Sequence, residues 1–191
     1  MTVSDQPTAP ASKDDWRAWA RETRSGLDFG EIAPSARGHL ERWESLRRAA
    51  TILIYLPLGD EIDLVPLRQS DLDCRFVATR TPERDGALTI HELEGPLEVH
   101  RLGFLQPHRA APVVDPGDVD VLLLPGLAFD LWGTRLGRGA GYFDELLSRT
   151  PATATTVGVC PTALVVDRLP SEPHDRTVSF LATEEGVIAT A

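Results

Sequence analysis

Apolar positions change their spacing along this chain, and each change marks an element. After Lys13, the residues Trp16, Trp19, Ala20, Thr23 and Leu27 recur at helical intervals. Ser12 stands before this run with Asp15 three residues on, a shortened capping box, so a first helix is predicted over Lys13–Ser25. Pro34 suits the first turn of a second helix whose inward face carries Ala36, Leu40, Trp43 and Ala50, with the tryptophans read as core. From Thr51 the spacing collapses into TILIYLPL, the continuous apolar run of a strand covered on both faces. CRFVAT, LTIHEL, VDVLLLPG, TTVGVC and VSFLAT are further strand candidates. Between VDVLLLPG and TTVGVC lies a glycine-rich segment that runs into a short helix, GYFDELLSR. Strand, loop, helix, strand is a crossover unit. The predicted fold class is therefore α/β: a single domain with a layered sheet, its large parallel component flanked by helices.

Composition narrows the possibilities. A chain of 191 residues, 42% of them hydrophobic, can bury one good core, which is expected over residues 13–191. Residues 1–12 are rich in Pro, Ala, Ser and Thr and are predicted to form a disordered tail. They lack the charged head and apolar centre of a secretory signal, and no apolar run reaches membrane-spanning length, so a cytoplasmic protein without a membrane partner is expected. A formal net charge of −10 argues against nucleic acid as a partner, because such binding draws on clustered Lys and Arg. An anionic ligand must find a local basic patch. Cys74 and Cys160 lie in apolar runs without CxxC spacing or a histidine cluster, and are expected to be buried free thiols. Lys13 is the only lysine; every other basic residue is an arginine.

The local basic patch is in RLGRGAGYFDEL, residues 135–146. Gly137, Gly139 and Gly141 alternate here with Arg138 among them and Arg135 just before. No Gly-Lys-Ser/Thr follows, so this is not a Walker A loop, and the spacing is not GxGxxG. The underlying physics is shared with both designs. Glycines let backbone N–H groups approach an anion, the following helix offers its positive end, and the arginines add charge-assisted bonds. An ordinary glycine-rich turn is the alternative reading.

DVLLLPGLAFDLWGTRLGRGAGYFDELL closely resembles the signature of the 5-formyltetrahydrofolate cyclo-ligases, also called methenyltetrahydrofolate synthetases. YLPLGDEIDLVPL resembles the family's folate-side segment, GFLQP its mid-chain glycine turn, and EPHDRTVSFLATEEGV its C-terminal strand. Order and spacing agree from about Lys13 to Val187. The resemblance implies an enzyme that converts 5-formyltetrahydrofolate and ATP, with Mg²⁺, to 5,10-methenyltetrahydrofolate, ADP and phosphate. It also implies roles for residues. Arg135, Leu136, Gly137, Arg138, Gly139, Ala140, Gly141, Tyr142 and Phe143 would form the nucleotide-phosphate loop, with Arg135 and Arg138 as its catalytic charge partners. Lys13 and Arg17 match the basic pair that reaches the nucleotide from the first helix. Asp144 would be the magnesium ligand; its other reading is an acid favouring a helix N-terminus. Glu61 would accept hydrogen bonds from the pterin, with Leu56 and Pro57 walling its pocket. A monomer is expected.

Three positions depart from the family pattern. Phe143 stands where a second Tyr is usual, Ala140 where Gly or Lys is common, and Ser179 where an Asp, a second acidic metal ligand, is frequent. His174 and Asp175 look like a catalytic pair but are explained as a family turn motif. Two other functions remain open: a non-catalytic folate-binding protein of the same fold, and an enzyme handling sugar phosphates or CoA on a related scaffold.

Overall fold

The computed structural model describes residues 6–7, 11–83 and 86–191, so most of the expected N-terminal tail lies outside the described residues. Helix α1 spans Lys13–Ser25, α2 Phe29–Arg42 and α3 Glu44–Arg47. Strands β1 (Thr51–Ile54), β2 (Arg75–Arg80), β3 (Thr89–Glu92), β4 (Leu97–Val99), β5 (Leu105–Pro107) and β6 (Val113–Val114) follow. Then come β7 (Val121–Pro125), β8 (Ala128–Asp130), β9 (Arg135–Leu136), helix α4 (Tyr142–Arg149) and β10 (Thr155–Val159). The chain closes with β11 (Val165–Val166), β12 (Phe180–Thr183) and β13 (Gly186–Ala189).

Eight strands form one sheet in the order β13-β12-β10-β7-β1-β2-β3-β6. The five central strands, from β12 to β2, are parallel, and β13, β3 and β6 are added antiparallel at the edges. All six strand candidates are strands of this sheet. Side chains of a strand point alternately to opposite faces, which sorts the apolar runs into two cores. Leu53, Val77, Leu122, Leu124 and Leu181 meet Trp16, Trp19 and Ala20 of α1 and Leu146 of α4. Ile52, Ile54, Ala78, Val121 and Leu123 meet Ala33, Ala36 and Leu40 of α2 and Leu46 of α3 on the other face. Burial on both faces explains why these runs read as continuous rather than alternating.

Helix α1 begins as expected: Ser12 accepts the Asp15 N–H, and the Asp15 carboxylate accepts the Ser12 N–H in return. Helix α2 starts earlier than expected. Asp28 accepts the Gly30 N–H and opens the helix at Phe29, which leaves Pro34 inside it rather than in its first turn. The helix ends at Arg42 and a short α3 follows, so Leu46 and Ala49 take the inward positions and Ala50 is exposed. Trp43 caps α2 and packs edge-on against Phe180, with ring centroids 4.9 Å apart. Both cysteines are free; Cys160 is buried, with its thiol pushed up to about 12 by burial, whereas Cys74 is only partly buried. Among the described residues no helix is long and apolar enough to cross a membrane.

The crossover from β7 to β10 carries more than a loop and a helix. Strands β8 and β9 pair antiparallel, and β11 joins β8 to make a small second sheet above the first. Phe129 anchors it. Its ring is fully buried and lies over Gly126 and Gly158, where an added Cβ would come within 2.7 Å and 2.3 Å of ring atoms. Gly158→Ala should therefore destabilise the fold by about 1–3 kcal/mol through overpacking, measured by urea denaturation. Gly95→Ala, where a Cβ meets nothing within 4 Å, should change stability by no more than about 0.5 kcal/mol. Equal effects at the two positions would contradict this packing account.

Candidate active site

The glycine-rich segment is aimed by a buried acid. Asp130, at the end of β8, accepts the Trp132 and Thr134 N–H groups at 3.0 and 2.8 Å through one oxygen and the Leu169 N–H at 2.9 Å through the other. The turn so formed leads directly into Arg135. Beyond β9 the backbone takes left-handed conformations at Gly139 (φ 110°) and Gly141 (φ 70°), the latter capping α4. Side chains resist such angles, which accounts for glycine at both positions. Ala140 between them has negative φ, so its methyl group is accommodated.

The loop forms one wall of a cleft of about 470 Å³. Residues 135–144 line it, as do Lys13 and Arg17 from α1 and Leu56 and Glu61 from the segment after β1; Pro57 does not. Positions more than a hundred residues apart thus share one cavity. The turn of Glu172, His174 and Asp175 forms part of the same wall. Ser179 is elsewhere, exposed at the start of the C-terminal strand region, where its N–H donates to Thr156 Oγ1 at 3.0 Å.

Lys13, Arg17, Arg135 and Arg138 each have a partner, whereas Arg101 lines the cleft as an exposed cation. Lys13 Nζ donates to Glu172 at 2.6 Å and to Asp175 at 2.7 Å. Arg17 donates to the Gly137 carbonyl at 3.1 Å and to Asp14 at 2.6 Å, and so holds the loop from below. Arg135 donates to Asp144 at 2.8 Å, and its guanidinium lies 5.6 Å from the Phe143 ring centre. With its side chain 5% exposed, Arg135 meets the cleft chiefly as the partner of Asp144. The second Asp144 oxygen accepts the Arg176 N–H at 3.3 Å, so this carboxylate sits in the first turn of α4 as an acid should. Arg138 crosses the cleft to Glu61 at 3.2 Å and Asp60 at 2.5 Å.

Glu61 is the most enclosed acid of the cleft. One oxygen accepts the Leu58 N–H at 2.9 Å and the other faces Arg138. Burial pushes its carboxyl above the ordinary glutamate range, against the pull of the Leu58 N–H and Arg138. Tyr55 beneath it donates its hydroxyl to the Ile62 carbonyl at 2.7 Å and shapes the turn that presents the acid.

Arg24 belongs to none of the motifs that mark the cleft in the sequence. It is 3% exposed and donates to the carbonyls of Asp60, Gly126 and Leu127. The signal was present in the spacing: Arg24 follows Trp16 and Ala20 at intervals of four and so falls on the buried stripe of α1.

A sequence profile of the 5-formyltetrahydrofolate cyclo-ligase family matches residues 17–184. The chain belongs to this family. A 5-formyltetrahydrofolate cyclo-ligase of Mycolicibacterium smegmatis is 31% identical over 95% of this chain and 98% of its own length. The Escherichia coli K12 cyclo-ligase is 26% identical over 82% of this chain and 90% of its own. The solution structure of the Aquifex aeolicus 5,10-methenyltetrahydrofolate synthetase superposes with a TM-score of 0.81 at 30% identity, covering 93% of this chain and 92% of that one. These relatives cover between 82% and 95% of this chain.

The Lys13 contacts carry a stability consequence for this cyclo-ligase. Burial raises the Asp175 carboxyl, but the Lys13 ammonium and the Glu172 N–H outweigh it and hold Asp175 below the usual aspartate range. A depressed carboxyl contributes stability above its unfolded value and loses it as pH falls through its folded one. Lys13→Ala should therefore lower stability near neutrality by about 1 kcal/mol. Thermal melts should show this deficit shrinking once the pH falls below the ordinary aspartate range. A deficit that persists undiminished into acid would mean that the lysine acts by packing alone.

Proposed function

We propose that the chain catalyses the reaction of its family, ATP- and Mg²⁺-dependent cyclisation of 5-formyltetrahydrofolate to 5,10-methenyltetrahydrofolate with release of ADP and phosphate. One observation carries this reading: Arg138 of the glycine loop contacts Glu61 of the folate-side segment across a single cleft. A nucleotide at the loop and a pterin at Glu61 would be neighbours. That is what the chemistry needs.

The formyl group on N5 is amide-like, so its oxygen leaves poorly. Transfer of the γ-phosphoryl group to that oxygen converts it to a leaving group. N10 of the same molecule then attacks the formyl carbon and loses its proton to solvent or to the departing phosphate, whose bond to the formyl carbon breaks. No protein nucleophile is required; alignment of two ligands and neutralisation of phosphate charge suffice. Glu61 would accept from the pterin N–H groups, with Leu56 as an apolar wall. The N–H groups of the glycine loop and the first turn of α4 would receive the phosphates. Lys13, Arg17 and Arg138 are exposed enough to turn toward them, whereas Arg135 would act by holding Asp144.

Hard carboxylate oxygens suit Mg²⁺, and Asp144, partly exposed on the cleft wall, would hold it. Bound there, the ion would neutralise phosphate charge during transfer. Arg138 links the two ligands. A pterin that takes the Glu61 carboxylate competes with Arg138 for it and frees that guanidinium for phosphate. On the same reading the enzyme works in the cytoplasm as a monomer on small-molecule substrates.

Incubation of the protein with 5-formyltetrahydrofolate should yield the near-ultraviolet absorbance of the methenyl product only with Mg-ATP. Folate binding without product, even in a single turnover, would favour the non-catalytic reading. Asp144→Asn should remain folded, though less stable for want of the Arg135 counter-charge, and lose turnover by at least about tenfold, since the amide retains volume but not charge. Normal rates at limiting magnesium would end the metal role.

Glu61→Gln should weaken 5-formyltetrahydrofolate binding by about 1.5–3 kcal/mol while ATP affinity barely moves, as titration calorimetry would report. Binding by wild type should also fade on acidification at a higher pH than an exposed glutamate would cause, because burial holds Glu61 above the ordinary range and the acceptor must be ionised. Equal losses for both ligands would point instead to a disturbed cleft.

A further inference from the structure

His100 is a buried polar side chain that the roles above leave unexplained. It follows β4 in the hairpin with β5, is 6% exposed, and lines the cleft. Its position is tightly set. The His100 N–H donates to the Phe104 carbonyl at 2.7 Å, and its carbonyl accepts the Gly103 N–H at 2.8 Å. The imidazole stacks on Phe104 with centroids 4.4 Å apart. Nδ1 accepts the Leu102 N–H at 3.3 Å, which leaves the proton of the neutral ring on Nε2. That atom is buried and has no hydrogen-bond partner among the described residues.

His91 provides the contrast. It is equally buried, and both its ring nitrogens are engaged, by Thr89 Oγ1 at 2.9 Å and the Ala111 carbonyl at 2.8 Å. An unpaired buried donor costs about 1–3 kcal/mol, so a ring held rigidly with its donor unused is poised for an acceptor supplied by a ligand. The surroundings indicate which ligand. Leu102 and Leu105 of the same hairpin line the cleft and are 69% and 49% exposed, and the exposed Arg101 lines it between His100 and Leu102, so an apolar margin with one cation at its rim adjoins the donor. A flat ring system bearing carbonyl oxygens fits this combination. A phosphate fits the cationic glycine-loop side.

We propose that His100 Nε2–H donates to an oxygen of the bound reduced folate and is a specificity-determining residue of the cleft. The identity of the ligand rests on the function proposed above. Two variants separate donation from packing. His100→Asn retains an acceptor near Nδ1 for the Leu102 N–H but does not reach the Nε2 position. His100→Gln places an amide N–H close to that position.

Nucleotide-free binding of 5-formyltetrahydrofolate, measured by titration calorimetry, should weaken about five- to tenfold in His100→Asn and largely recover in His100→Gln. The KM for ATP should stay at its wild-type value in His100→Asn, and the titrations are run below its melting temperature, which loss of the Phe104 stack should lower. Repeating the titrations with tetrahydrofolate, which lacks the formyl group, identifies the oxygen. A retained loss assigns a pterin or benzoyl carbonyl, a vanished loss assigns the formyl oxygen, and either supports the proposal. Wild-type binding by His100→Asn, equal weakening in both variants, a loss confined to ATP, or no folate binding by wild type would each overturn it. A protein that binds folate through His100 yet forms no methenyl product supports this role and counts against the catalytic reading alone.

Discussion

Arg24 carries a full charge into the interior and satisfies it with main-chain carbonyls: those of Gly126 and Leu127 after β7, and that of Asp60 after β1. Three segments distant in sequence are tied at one guanidinium. Helix α1 brings Lys13 and Arg17, the turn after β1 brings Glu61, and the turn after β7 leads to Arg135 and the glycine loop. Burial pulls the Arg24 pKa below that of an ordinary arginine, while the nearby Asp60 and Glu61 carboxylates oppose the change. Buried charge is tolerated where its donors are met, and a planar fork with five N–H groups can meet several carbonyls at once. An ammonium offers no such spread of donors. This one side chain thus ties together three of the segments that wall the cleft.

The remaining cations of the cleft divide by exposure. Arg135 is buried and Asp144 only partly so, and removing the carboxylate would leave the guanidinium without its counter-charge, so their contact is part of the framework. Phe143 adds a ring face to that framework, a contact that requires no hydroxyl and gives the phenylalanine a use of its own. Arg138, more exposed, meets Asp60 at the water boundary, where exchanging a partner costs little, and also reaches the buried Glu61, whose charge needs a replacement donor when the guanidinium leaves. A chain of net charge −10 can therefore present movable cations to an anionic ligand while Lys13, Arg17 and Arg138 are paired with its own acids.

The departures from the family pattern also find physical places. Ala140 occupies the one loop position between two left-handed glycines that an ordinary residue can take. Ser179 lies away from the cleft, while Glu172 and Asp175 bring carboxylates to its wall and meet Lys13 there.

The amino-acid sequence by itself determined the elements and the layers. Helical spacing marked α1, a serine and an aspartate marked its start, and continuous apolar runs marked the central strands, because burial on both faces removes polar alternation. It also singled out the glycine loop, since left-handed backbone demands glycine wherever it occurs. Local rules failed where two signals competed, as when Asp28 opened α2 ahead of Pro34. Partnership was decided only by the tertiary structure. That Arg138 meets Glu61, that Lys13 meets the turn of Glu172 and Asp175, that Arg24 holds three carbonyls and that His100 Nε2 meets no partner among the described residues are facts of distance between remote segments. Hydrogen bonds and ion pairs act over a few ångströms, and sequence order does not reveal which remote groups the packed sheet will bring within that range.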